Sequence, residues 1–202
     1  MSWDRGEFLS RAVVAGLFLA LAFRVGVDFT RTLRMTGLLL LASESLVVLL
    51  TVVRRRAVVV DRSWDARVIT VISLVGPPLL RPEESFAWLP EWHAALLAAC
   101  GLLMIVAGKI SLGRSFGLVP ANRGIVCRGL YRAVRHPIYA GYLVTHCAFL
   151  LSHLDAWNAC VLLTGDTALL ARALCEERTL SRDPAYVSYQ GRVRWRLLPG
   201  VF

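Results

Sequence analysis

Long apolar runs alternate with short arginine-rich segments along this chain. A bilayer crossing takes about 20 largely apolar residues. Six runs approach that length, over residues 8–27, 35–53, 68–80, 93–107, 137–154 and 156–174. The pattern predicts an all-α fold, a polytopic transmembrane helical bundle of about six spans. The third run is short and ends in Gly76-Pro77-Pro78. Folded as a re-entrant hairpin it would leave five spans and move the N-terminus to the other side. Residues 110–128 are too polar to cross, and Gly113-Arg114 and Asn122-Arg123-Gly124 read as turns in a segment beneath the bilayer. The chain therefore divides into N-terminal transmembrane helices (1–109) and a C-terminal core (110–202) of loop, helical hairpin and tail.

Charge sets the orientation. Basic residues gather in loops on the cytoplasmic side of a membrane protein. Alternating sides through six spans, with the 128–136 segment inside, leaves only Arg24, Arg31, Arg34 and Arg81 at the outer face. Both termini are then cytoplasmic. The loop with Arg81 also carries Glu83, Glu84 and Glu91, which suits the outside.

Composition agrees. The chain is 56% hydrophobic with a net charge of +9 and a mean hydropathy of +0.58, which points to an integral membrane protein. All its basic residues but Lys109 are arginine. Clustered between apolar runs, they suit membrane lipid phosphates and not nucleic acid. Cys100, Cys127, Cys147, Cys160 and Cys175 show neither metal-ligand spacing nor a disulfide framework. The four in apolar runs read as small buried hydrophobes. His93, His146 and His153 likewise lack ligand spacing, and no metal is expected. Two acids fall within spans, Glu44 and Asp166. An embedded acid costs about 2.5–3.5 kcal/mol on insertion scales. Each suits either a polar cavity or substrate contact, or an interhelical hydrogen bond to neighbours such as Ser43, Ser45 or Thr167.

The candidate chemistry lies in Gly129-Leu130-Tyr131-Arg132-Ala133-Val134-Arg135-His136-Pro137-Ile138-Tyr139-Ala140-Gly141-Tyr142. Pro137 suits the first position of a helix, so Arg135 and His136 precede a helix N-terminus, whose free N–H groups favour an anion. A helix over 137–154 is about 27 Å long at 1.5 Å per residue. The return helix brings Glu176 and Glu177 back to the depth of His136. Basic and acidic groups facing each other there suit a zwitterionic ligand. In the tail, Arg192, Arg194 and Arg196 alternate with Val193, Trp195 and Leu197. This period of two suits an extended segment, either anchoring on lipid or closing over the site.

The ordered set Gly-x-Tyr, Arg-His-Pro-x-Tyr-x-Gly and Glu-Glu resembles the isoprenylcysteine carboxyl methyltransferase and phospholipid methyltransferase group, over roughly 110–202. That resemblance implies an integral-membrane enzyme using S-adenosylmethionine at the cytoplasmic face of the hairpin. It implies catalytic roles for Arg135 and Glu177. Gly129, Tyr131, His136, Pro137, Tyr139, Gly141, Glu176 and Glu177 would bind the cofactor, with Gly141 letting the ligand approach closely. Arg192, Tyr186 and Tyr189 would meet the substrate. Asp183-Pro184-Ala185 shortens the usual spacing before Tyr186, which bears on the lid and the substrate class. The acceptor would be a lipophilic or prenylated molecule partitioning into the membrane. The arginines at the mouth (Arg128, Arg132, Arg135, Arg192, Arg194) favour a carboxylate over an amine. Two rivals share features: an NADPH-dependent membrane sterol-type reductase, in which the Gly of the motif is often followed by Glu and not by Tyr142, and a non-enzymatic transport or scaffold protein.

Overall fold

The computed structural model describes residues 55–80 except 56, 62, 77 and 78, and residues 87–201 except 118, with isolated positions at 16, 23, 30 and 53. The predicted runs over 8–27 and 35–53 (apart from those isolated positions), Glu44, and the outer-face residues Arg24, Arg31, Arg34, Arg81, Glu83 and Glu84 lie outside the described residues. From Arg55 onward the chain forms one compact unit. It contains strand β1 (Val59–Val60), helices α1 (Trp64–Val75) and α2 (Glu91–Leu112), strand β2 (Ala121–Asn122), and helices α3 (Pro137–Ser152), α4 (Ala156–Leu180) and α5 (Pro184–Arg192).

The third predicted span is corrected to α1. It begins at Trp64, where the Ser63 hydroxyl accepts from the Ala66 N–H at 3.4 Å and Asp61 in turn accepts from the Ser63 hydroxyl at 2.6 Å. It stops before the Gly76-Pro77-Pro78 break. Its 12 residues rise only about 18 Å, too short to cross alone. The other runs are extended or trimmed. Helix α2 continues to Leu112, carrying Lys109 fully buried inside the protein. Helix α4 runs on to Leu180 through Arg172, Glu176 and Glu177, because these charged groups find partners. Of the described helices, those over Trp92–Ser115 and Ala156–Leu180 are long and apolar enough to cross a membrane.

Helices α2 and α3 form the main helix–helix contact, an antiparallel crossing held close by glycine. A Cβ on Gly101 would stand 2.8 Å from the Gly141 carbonyl oxygen, and one on Gly141 only 2.7 Å from that of Gly101. Small residues that let backbones touch drive such packing in lipid, where apolar burial between helices gains little. Helix α4 turns back at Asp155, which accepts from the Trp157 and Asn158 N–H groups at 2.7 and 3.1 Å. Exposed tryptophans mark both ends of the bundle. Trp88, Trp92 and Trp157 lie at the turn end, and Trp64 and Trp195 at the other, as in the aromatic belts of membrane proteins.

The expectation of buried cysteines holds only for Cys175. Cys100, Cys147 and Cys160 are exposed on the outside of their helices. The outer surface of a spanning helix faces lipid, so an apolar residue there gains nothing by turning inward.

The segment after α2 packs beneath the helices. Strands β1 and β2 pair antiparallel, Val59 opposite Asn122 and Val60 opposite Ala121. The expected turn at Asn122-Arg123-Gly124 is present, with Asn122 Oδ1 accepting from the Gly124 N–H at 2.9 Å and Gly124 at a φ of 99°.

Candidate cofactor site

The site forms where the N-terminus of α3, the C-terminal part of α4 and the chain after α5 converge. His136 occupies the N-cap position of α3 and Pro137 the first turn. Carboxylates from α4 lie beside the Arg135 and His136 side chains. His136 Nε2 lies 3.3 Å from Glu177 Oε1, and its Nδ1 lies 3.8 Å from Glu176 Oε2. One imidazole thus bridges both carboxylates. Arg135 Nε stands 3.0 Å from Glu177 Oε1 but off the hydrogen-bonding direction, so this contact is one of charge. Arg196 Nε donates to Glu177 Oε2 at 2.9 Å. Glu176 accepts from the Tyr139 hydroxyl and has Arg172 Nε, one turn earlier on α4, at 3.7 Å. The Arg172 guanidinium lies 5.4 Å from the centre of the Tyr139 ring, within cation–π range. Arg135, His136, Arg172 and Glu177 are all buried.

The chain after α5 closes this cluster from below. Its expected alternation is only partly kept, because the helix persists through Arg192 and the extended path starts at Val193. Val193 and Leu197 turn inward, while Arg194 and Trp195 are exposed. The Arg135 N–H donates to the Trp195 carbonyl at 2.9 Å and the His136 N–H to that of Arg196 at 2.8 Å. These two bonds pin the tail against the Arg-His pair and deliver the Arg196 side chain to Glu177.

Helix α5 stands behind the tail. Asp183 caps it, accepting from the Ala185 N–H at 2.9 Å, and accepts from the Asn122 side-chain amide at 2.8 Å. The amide bond and the cap hold the Asp183 carboxyl below its usual range. The shortened Asp-Pro-Ala spacing is thus the start of a helix tied to β2. Tyr186, Tyr189 and Val193 form a small core, with Ile125 and Leu180 against it. The Tyr189 hydroxyl donates to the Tyr131 carbonyl at 2.7 Å. The Tyr186 hydroxyl is buried without a hydrogen-bond partner. Burial pushes the phenols of Tyr131, Tyr186 and Tyr189 up, so all three are neutral donors at physiological pH.

The structure therefore brings together Arg135, His136, Tyr139, Glu176 and Glu177, with Pro137 fully buried under them and Tyr131, Tyr186 and Tyr189 adjacent. Three expected residues are placed elsewhere. Gly141 lies at the α2–α3 crossing, where its lack of a side chain admits the Gly101 backbone. Gly129 is exposed, takes a φ of 59°, and packs its Cα against Ser111. Arg192 is exposed at the end of α5, and Arg196 is the tail arginine that reaches Glu177.

Arg172 and Arg196 were not anticipated. Arg172 was legible as a cation inside an apolar run, four residues before Glu176. A further embedded pair was also missed. His146 Nδ1 on α3 lies 2.5 Å from Asp166 Oδ1 on α4, so Asp166 makes an interhelical bond, with His146 as its partner. Tyr142 lies between the two levels, its ring 6.1 Å from that of His146 and 5.9 Å from Lys109 Nζ. Polar side chains thus descend the α3–α4 seam from the cluster into the bundle.

The cluster fits S-adenosylmethionine in its chemistry. Two carboxylates can hold ammonium, sulfonium or ribose hydroxyl groups. Four basic side chains outnumber those carboxylates and leave cationic capacity for an amino-acid carboxylate. The buried Tyr186 hydroxyl is a donor still to be used, and an unpaired buried polar group is costly unless something fills it.

Residues 94–182 match the family model of the isoprenylcysteine carboxyl methyltransferase (ICMT) family. No curated protein matches the chain.

Proposed function

We propose, on the match of residues 94–182 to the family model of the isoprenylcysteine carboxyl methyltransferase family, that this chain methylates a lipophilic acceptor using S-adenosylmethionine bound at the Glu176–Glu177 cluster. One observation carries this reading. Arg135, His136 and Arg196 converge on Glu177, joining the family motif, the end of the hairpin and the tail in a single buried site.

S-Adenosylmethionine supplies a methyl group activated by its sulfonium. The chain's own residues bind, orient and exclude water. Glu176 and Glu177 hold the cationic and hydroxyl groups. Arg135, Arg172 and Arg196 hold the carboxylate, and Tyr186 donates from behind. Placing a nucleophile in line with the methyl and stripping its water is the main task of such an enzyme. The acceptor enters from the lipid side, between helices. A carboxylate acceptor needs no general base, and an arginine can orient it through two parallel bonds. An amine acceptor would have to surrender a proton, and both carboxylates of the cluster are already engaged by cations. The basic mouth and this engagement favour a carboxylate, isoprenylcysteine-like acceptor. The protein is multi-pass, with the site and both termini cytoplasmic. The exposed native Cys127 should accordingly react with an impermeant maleimide from the cytoplasmic side and not from outside.

The deciding measurement is calorimetric. Glu177→Gln and His136→Ala should each weaken S-adenosylhomocysteine binding roughly ten- to hundredfold, the loss of one charge-assisted hydrogen bond. Unchanged affinity in both folded variants would remove these residues from the site. With methyl-labelled cofactor, base-labile label in a lipophilic acid would mark a methyl ester. Base-stable label on a phospholipid amine would overturn the carboxylate assignment alone.

A further inference from the structure

A second cavity lies outside the Glu176–Glu177 cluster. It encloses about 480 Å³ and is lined by Arg55, Leu112, Arg114, Ser115, Ile125, Val126, Cys127 and Arg128. Three arginines are among its lining residues, and that described lining contains no carboxylate. The chain holds them there deliberately. The Arg55 N–H donates to the Arg114 carbonyl at 2.7 Å, fixing these two distant segments side by side. Arg128 Nε donates to the Ser111 carbonyl at 3.1 Å, which ties this side chain to the last turn of α2. Gly124, in the left-handed region, leaves room beside the Arg55 guanidinium. A Cβ there would stand 3.7 Å from Arg55 Nη1 and 3.8 Å from the Ser115 hydroxyl.

The like charges of Arg55 and Arg128 beside one hollow are best accommodated when an anion lies between them. The sulfonium and ammonium of S-adenosylmethionine would be repelled here, so this is not the cofactor's site. Guanidinium forks match the oxygens of a phosphate two at a time. Leu112, Ile125 and Val126 add an apolar wall, which suits the glycerol and first methylenes beside a phosphodiester. The position agrees. The cavity borders the C-terminal end of α2, which packs antiparallel on α3 and so lies at the same end of the bundle as His136. At that level a bilayer presents its phosphates, and basic pockets on the cytoplasmic side bind anionic headgroups.

We propose that this cavity binds a phosphate group, presented by an anionic phospholipid or by a soluble phosphate, through Arg55 and Arg128. The site stands apart from methyl transfer, and its test reads neither activity nor cofactor binding. Cys127 lines the cavity and is exposed, so its alkylation reports occupancy in the wild-type protein. The protein is placed in phosphatidylcholine nanodiscs, with or without phosphatidylglycerol, and in phosphatidylcholine nanodiscs with added inorganic phosphate. A charged maleimide is applied and the Cys127 peptide quantified by mass spectrometry. Protection of Cys127 several-fold by phosphatidylglycerol identifies a lipid headgroup site. Protection by inorganic phosphate alone identifies a soluble phosphate site. In either case Arg55→Gln/Arg128→Gln should need roughly tenfold more ligand for the same protection, while Arg182→Gln, on the exposed turn after α4, should not. Unprotected Cys127 in both arms of the wild-type experiment overturns the proposal, as does equal loss of protection in the Arg182→Gln control.

Discussion

Glu177 is the residue whose removal should be felt most. Its carboxylate faces Arg135 at 3.0 Å, His136 at 3.3 Å and Arg196 at 2.9 Å. The Arg135 and His136 side chains are 8% and 6% exposed, whereas Arg196 is 33% exposed and can recover water. Removing one partner of a buried ion pair costs about 3–5 kcal/mol, because the other charge stays buried and unpaired. Glu177→Gln keeps the shape and one acceptor, and the Arg196 contact is discounted for its exposure. The lower end, about 3 kcal/mol, is therefore the expected cost. Unfolding in mixed micelles with increasing denaturing detergent measures it. The companion variant is Glu177→Gln/Arg135→Gln, which removes the stranded cation as well. It should be more stable than the sum of the two single losses by about 1–3 kcal/mol, the size of a direct coupling. A single-variant loss below about 1 kcal/mol, or strictly additive losses, would refute the claim that these charges form one desolvated unit.

Three further outcomes follow from particular contacts. Gly141→Ala forces a Cβ to 2.7 Å from the Gly101 carbonyl oxygen and should cost about 1–3 kcal/mol by thermal melting. The folded fraction should keep its affinity for S-adenosylhomocysteine, and lost affinity at unchanged stability would return Gly141 to the ligand wall. Asp183 has a folded-state pKa below its usual 3.8, so the stability it adds is present above that value and lost as pH falls through the lower folded one. The stability gap between wild type and Asp183→Asn, followed by denaturant melts, should be constant from neutral pH down to about 5 and shrink only below about 4. His146 and Asp166 form an embedded pair at 2.5 Å, so Asp166→Leu alone should destabilise more than His146→Leu/Asp166→Leu, which leaves no stranded polar group. The reverse order in the same melts would show that the pair does not act across the hairpin.

Much of the site was legible because a helix is a ruler. Pro137 marks the start of α3, Asp155 marks the start of α4, and a rise of 1.5 Å per residue returns Glu177 to the level of His136. The same arithmetic, run from the turn inward, pairs Asp166 with His146 and names the partner of the interhelical bond. Arg196 was misplaced for a different reason. The alternation over 192–197 assigns all three arginines one face, and a capped helix through Arg192 resets that register. Asp183-Pro184 is a helix start by its own chemistry, so the cap signal outweighs a period of two read over six residues.

The reading of Gly141 and of the cysteines failed at one common point, the solvent. In water an apolar side chain is driven inward, and a glycine beside a motif suggests room for a ligand. In a bilayer the outer surface is already apolar, so Cys100, Cys147 and Cys160 face outward at no cost. Helices then associate through close backbone contact and polar pairs instead. Gly101 against Gly141, His146 against Asp166, and Tyr139 against Glu176 are three instances along one pair of seams. Their common effect is mechanical. The crossing at Gly141 fixes the N-terminal turns of α3, and the two polar pairs fix the register of α4 against it. His136 therefore meets Glu177 on elements that cannot slide. A buried charge cluster is worth its desolvation only where its geometry is held in this way, and the helices below the cluster hold it.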